Sequence, residues 1–225
     1  MTELGRRALG GVARFVAGLA LLLFLPAWTL AWWQAWVFLG VFALGMLSTT
    51  LYLMRHDPPL LERRLRAGPG AEPERSQKII QSFAALCFVA AILLPAVDHR
   101  LAWSAAPPAS AIAGDVLVAL GFLITFLVFR ENRFATAVIA VDPAQQVVST
   151  GPYRLVRHPM YLGALVMLLG MAPALGSWWG LLAAAPFTAA LAWRLVDEER
   201  ILAPRLPGYI DYQSTVKYRL IPFVW

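Results

Sequence analysis

The sequence predicts an all-α, polytopic integral membrane bundle of about six transmembrane helices, closed by a C-terminal cytoplasmic segment. Three observations carry this. Of 225 residues, 60% are apolar and 14% charged, against roughly 45–50% and about 25% in soluble domains. The mean hydropathy is +0.64. Charge-free runs recur at membrane-crossing length. So much apolar surface cannot be hidden in one small soluble core. No alternating stretch is long enough for barrel strands. The single cysteine, Cys87, lies in an apolar run, which excludes a disulfide framework or a thiolate zinc site within the chain. A net charge of +6 would suit a nucleic-acid binder, but basic residues flanking membrane spans account for it.

The elements follow in chain order. Arg6, Arg7 and Arg14 precede an apolar run with no cleavage-site pattern after it, so an uncleaved first span is expected. Residues 15–54 hold no charge. As one helix they would be about 60 Å long, twice the hydrocarbon thickness. The chain must turn near 26–34, where Pro26, Trp32 and Trp33 mark an interface. Spans one and two are placed at 14–31 and 34–54. A polar, proline-rich loop fills 55–78. The third span is 79–97, followed by a short polar turn over 98–108. The fourth, 110–129, carries Asp115 near its start. Residues 160–193 are again charge-free, about 51 Å as a helix. They must form a hairpin turning at Gly176–Ser177, with spans 160–175 and 178–195 short enough to be tilted or partly re-entrant.

Orientation follows from the basic residues. Segments 1–14, 55–78, 130–159 and 194–225 carry three, six, four and five Lys or Arg, and the other side of a six-span chain carries Arg100 alone. Both termini are therefore expected in the cytoplasm. The compact, Ala/Arg/Trp-rich sequence points to a bacterial inner membrane.

Two cytoplasmic segments hold the unusual polar residues. In Gly151-Pro152-Tyr153-Arg154-Leu155-Val156-Arg157-His158-Pro159-Met160-Tyr161, Gly-Pro signals a turn. Pro159 suits the first helical turn, where its missing N–H costs nothing. Arg157 and His158 then sit at a helix N-terminus, where free N–H groups can bind a ligand. Across the hairpin, Arg194 precedes Asp197-Glu198-Glu199-Arg200. Arg194 and Glu198 are spaced i,i+4 and share a face. A hairpin returns both segments to one membrane face. A phosphate loop, a GxGxxG turn, an HExxH motif and a GxSxG elbow are all missing. No metal is expected.

The run GPYRLVRHPMYLG (151–163), the acids at 197–199, Tyr209-x-x-Tyr212 and the terminal YRLIPFVW (218–225) closely resemble the isoprenylcysteine carboxyl methyltransferase family and the related membrane methyltransferases of phospholipids. The likeness covers about 130–225, which it marks as the cofactor-binding and catalytic region of a single membrane domain, 1–225. It implies S-adenosylmethionine as cofactor, with S-adenosylhomocysteine as product, and a lipidic acceptor. The cofactor would be wrapped by Gln146, Val147, Val148, Tyr153, His158, Pro159, Met160 and Tyr161. Glu198, with Glu199 as second choice, would hold its amino group. Arg157 and Arg194 correspond to family arginines that orient the acceptor, and Asn132 to a family asparagine upstream of the cofactor loop. One departure stands out: Thr215 precedes Val216 where many members have a basic residue.

The implied chemistry suits these residue types. The methyl donor is already activated, so proximity and orientation dominate. A carboxylate acceptor is ionised at neutral pH and needs a cationic clamp, preferably bidentate. An amine would need a base such as His158. Two other readings compete. An NADPH-dependent membrane reductase of the sterol-reductase type ends in a similar pattern, but commonly reads RHPNYxGE, where this chain has Met160 and Ala164. A non-enzymatic scaffold or transporter would place ionisable residues deep within spans, where only Asp115 occurs.

Overall fold

Helix α1 (Glu3–Ala27) opens on a side-chain cap, Thr2 Oγ1 accepting from Gly5 N at 3.2 Å, with Glu3 in its first turn. This start adds turns ahead of the expected span. Arg6, Arg7 and Arg14 become exposed residues of the helix itself. The computed structural model describes residues 2–139 and 145–225. Within them the chain is helical, with no strand among the described residues. After α1 come α2 (Trp33–His56), α3 (Pro58–Leu65), α4 (Arg75–Leu101), α5 (Pro108–Glu131), α6 (Pro159–Ala174), α7 (Ala184–Arg205) and α8 (Tyr209–Thr215). Short 3-10 turns lie at Pro69–Ala71, Gly151–Arg154 and Trp179–Ala183.

Five segments are long and apolar enough to cross a membrane: Glu3–Ala27, Trp33–His56, Arg75–Leu101, Pro108–Glu131 and Trp179–Arg205. The sixth apolar helix, α6, has 16 residues, about 24 Å against a core of roughly 30 Å. Two helices run well past the C-terminal ends that the sequence predicts. Helix α4 continues through Asp98, because that carboxylate is satisfied locally. It accepts from Ser104 N at 2.7 Å, from Ser104 Oγ at 2.6 Å and from Ser177 Oγ, which ties the end of α4 to the α6–α7 turn. Helix α7 continues to Arg205, since no breaker intervenes before Pro204. It therefore carries Arg194 and the three acids on one rigid rod.

The core packs Leu23, Phe38, Ile92, Val118, Met171 and Leu175 between the long helices. Helices α5 and α6 form its tightest pair. A Cβ added at Gly121 would lie 2.6 Å from Gly163 O, and one at Gly114 would lie 2.6 Å from Gly170 O. Both glycine pairs are spaced by seven residues on antiparallel helices, so one stripe of small residues lets the backbones touch. This contact levels the start of α6, with His158 and Tyr161, against the end of α5, with Asn132.

The cationic segments meet at that same end. Arg63 Nη2 donates to Arg133 O at 2.7 Å, and Arg205 Nη1 donates to Glu74 Oε1 at 3.1 Å. Arg100 lies at the other end of α4, over Trp28. A 27-residue α4 is about 40 Å long. Cysteines placed at the exposed Ala71 and Ala102, which bracket it, should therefore label from opposite sides of sealed vesicles. Labelling of both from one side would remove the expected topology.

Candidate active site

The turn before α6 is built by backbone constraints. Gly151 has φ +55°, in the left-handed region that glycine tolerates. Pro159 occupies the first turn of α6. The C-terminal tail pins the intervening residues: Arg157 N donates to Tyr218 O and His158 N to Arg219 O, each at 2.9 Å. This gives the terminal YRLIPFVW run a function that the sequence reading left unassigned.

Behind the turn lies Glu199, buried on α7. His158 Nε2 is 3.2 Å from its Oε1, and Arg219 Nε donates to its Oε2 at 3.0 Å. Arg157 Nε sits 2.8 Å from Oε1, an electrostatic contact without hydrogen-bond alignment. The His158 ring stacks on Tyr161, with centroids 5.7 Å apart.

Tyr161 links the turn to the acidic helix. Its hydroxyl donates to Glu198 Oε2 and accepts from Arg194 Nε at 3.0 Å. Arg194 and Glu198 do share a face, yet their side chains meet through Tyr161. The arginine's fork goes elsewhere. Nη1 donates to Gln77 Oε1 and Nη2 to Glu72 Oε1, both at 2.8 Å, and Nη2 also reaches Ala137 O at 3.1 Å. Glu72, with a fully buried side chain, accepts from Ile139 N at 3.1 Å and from Gln81 Nε2. Asp197 accepts from Ser76 Oγ at 2.7 Å and Gln77 Nε2 at 2.6 Å. The loop before α4 is thus fastened to α7 and to the segment after α5.

On the opposite wall, Asn132 Nδ2 donates to the Tyr153 hydroxyl at 2.8 Å, while Asn132 Oδ1 accepts from Phe134 N. Burial pushes the Tyr153 phenol up to about 12, so it stays protonated at neutral pH. The Tyr212 hydroxyl donates to Tyr153 O at 2.8 Å. Burial likewise raises Tyr209 and Tyr212 well above the usual phenol value. The Tyr209 hydroxyl is buried with no partner among the described residues.

These walls enclose a cavity of about 810 Å³, counting its open mouth. Asn132, Gln146, Val147, Val148, Tyr153, Arg157, His158, Pro159, Met160, Tyr161, Arg194 and Glu198 all line it. Glu199 stands behind the lining, holding it in place. Thr215 is exposed and donates to Asp211 O at 3.1 Å, so the position of the family's basic residue contributes nothing to the cavity here. Sequence reasoning missed Glu72, Gln77, Gln81 and Arg64. The one signal available was the basic-residue count, which put 55–78 on the same face as 194–225. Among the described residues no group of three or more His, Cys, Asp or Glu could hold a metal.

The family model for phospholipid methyltransferase matches residues 109–205, from the first turn of α5 to the end of α7. That stretch includes Asn132, the 157–161 turn and the acids of α7, and the match indicates a membrane methyltransferase. It is consistent with the resemblance carried by the 151–163 motif. Helices α1 to α4, α8 and the tail lie outside it. No curated protein matches the chain.

Proposed function

We propose that the chain transfers a methyl group from S-adenosylmethionine to the carboxylate of a prenylcysteine-like or other lipidic acceptor at the cytoplasmic membrane interface. The observation that supports this best is a partly open cavity lined by one carboxylate, Glu198, and by the buried Tyr209 hydroxyl, a donor without a partner among the described residues. A buried polar group without a partner is rare in folded proteins, and a ligand acceptor answers it. The donor set suits the proposed cofactor. Glu198 takes its ammonium, the backbone of Gln146, Val147 and Val148 takes its polar edges, and Pro159 and Met160 offer apolar contact.

When bound, the cofactor supplies an electrophilic methyl on a sulfonium, so a carboxylate oxygen forms the new C–O bond while the C–S electron pair returns to sulfur. The chain's own residues position and exclude water. Tyr161 fixes Glu198 and is itself held by Arg194. Glu199 fixes His158 and Arg157. Asn132 sets the Tyr153 hydroxyl at the cavity wall. No proton has to move when the acceptor is an ionised carboxylate.

Calorimetry with S-adenosylhomocysteine tests the reading. Glu198→Gln should raise the dissociation constant about tenfold or more, as expected for losing one partner of a buried charged pair. Tyr209→Phe should also weaken binding, while leaving the ligand-free protein no less stable, since the hydroxyl has no partner to lose. Unchanged affinity in both variants would detach the cavity from the cofactor. Tight NADPH binding with no affinity for S-adenosylhomocysteine would hand the site to a reductase.

A further inference from the structure

A second cavity opens sideways between α1, α2, α3 and α5. It measures about 980 Å³ counting its open side, and its walls are apolar: Val12, Phe15, Phe42, Met46, Leu53 and Phe122 among them. The hydroxyls of Thr49 and Thr125 are spent on their own helices, donating to Gly45 O and Gly121 O. Along α2 the groove runs from Phe42 to Leu53, about 17 Å. Its inner end is closed by Arg64 on α3.

Arg64 joins the groove to the first cavity. Its Nη1 donates to Ala135 O at 2.9 Å and lies 3.7 Å from Met160 Sδ, and both residues line the cofactor cavity. Its guanidinium stacks 4.3 Å from the Phe129 ring. No carboxylate among the described residues lies within ion-pair distance of it. Arg157 and Arg194, by contrast, are matched by Glu199 and Glu72. Burial pushes the Arg64 pKa down to about 10. Arg64 is half-buried, and a cation so placed without a carboxylate beside it can pair with an anion that a ligand brings.

We propose that this groove is the acceptor site: the lipid tail lies along α1, α2 and α5, and the acceptor carboxylate is gripped by Arg64. The assignment rests on the methyl-transfer reading above and names its acceptor site. Contact with Met160 puts the gripped group at the wall of the first cavity, a position that favours a carboxylate as the acceptor over a phosphate with a more distant amine. One carboxylate oxygen takes the methyl as the C–S bond breaks toward sulfur. The resulting ester is neutral, so the ion pair with Arg64 is lost and the product is released toward the bilayer.

The test is equilibrium binding of labelled laurate and of methyl laurate to the full chain in phosphatidylcholine nanodiscs, with S-adenosylhomocysteine affinity measured in parallel. Laurate should bind about tenfold or more tightly than its ester. Arg64→Gln should abolish that preference, and Arg64→Lys should restore part of it. Gly11 lines the groove, and a Cβ there meets nothing within 4 Å, so Gly11→Trp should weaken both ligands by filling the groove. Gly11 lines the groove and not the first cavity, so S-adenosylhomocysteine should bind Gly11→Trp as it binds the parent. If Arg64→Gln does not fold, the parent's preference and Gly11→Trp still decide. Equal binding of laurate and ester by a parent that binds S-adenosylhomocysteine would reduce the groove to lipid-facing surface and overturn the assignment. Stronger binding of lauryl phosphate than of laurate would overturn the carboxylate. A parent that binds no S-adenosylhomocysteine would sink the methyl-transfer reading instead.

Discussion

Arg194→Ala is expected to destabilise the protein by about 3–5 kcal/mol, the usual cost of removing one partner from a buried ion pair. The reason is Glu72. Its side chain is fully buried, and Arg194 Nη2 is the cation that balances it. Gln81 Nε2 and Ile139 N also donate to Glu72, but neutral donors do not replace a charge. Arg194→Ala also strands the Gln77 amide oxygen and frees Tyr161. A double-mutant cycle isolates the pair. Arg194→Met and Glu72→Gln, singly and combined, form the cycle with the parent, and the double variant should recover much of the single-variant loss, since removing both charges removes the uncompensated one. Thermal unfolding of the four proteins in one detergent gives the answer. Small, additive losses would mean that the two side chains are solvated and independent. The cycle also probes the site, because Glu72 and Arg194 together hold Ala137 and Ile139, which adjoin the cavity lined by Tyr161 and Glu198.

The Arg194–Glu72 pair is not legible in the sequence, whereas other parts of the fold are. The membrane class was legible because charge-free length is a one-dimensional property: 40 uncharged residues cannot be one span. The turn at 157–161 and the acids of α7 were legible because each is a local motif. The choice of partners is not local. Arg194 is far from Glu72 in sequence, and i,i+4 spacing pointed instead to Glu198. Tyr161 occupies the space between Arg194 and Glu198, and its hydroxyl serves both. The guanidinium fork is thereby left for the loop before α4. Arg64 escaped for a similar reason: in sequence it is one of six cations in a polar loop, and only packing sets it against Phe129 and Met160. The glycine stripe of α5 and α6 was present in the letters, but hydropathy treats a glycine as merely tolerable in a span. Its value lies in the facing helix, where Gly114 and Gly121 meet Gly170 and Gly163.

Glu199→Ala should have an effect as large, and a different signature. Glu199 is the meeting point of Arg157, His158 and Arg219. Removing its carboxylate leaves two guanidinium groups crowded together without their anion, beside an imidazole whose remaining carboxylate neighbour is Glu198, 4.0 Å from Nδ1. Arg219 is about a third exposed, so solvent screens its share, whereas Arg157 is buried and keeps the full penalty. The loss should be about 3–5 kcal/mol. It should appear first in the tail, because Arg219 O and Tyr218 O are what hold the backbone of His158 and Arg157. Limited trypsinolysis should cut after Lys217 or Arg219 sooner than in the parent. S-adenosylhomocysteine affinity should fall with it, since the tail shapes the turn that lines the cavity. Glu199→Gln keeps an acceptor oxygen and should fall between the two. The exposed Glu62–Arg66 pair, at 3.5 Å on α3, is the control: Glu62→Ala should cost no more than about 0.5 kcal/mol and leave the tail protected. If Glu199→Ala behaves like Glu62→Ala, the three cations do not depend on this carboxylate, and the tail is held by its backbone hydrogen bonds alone.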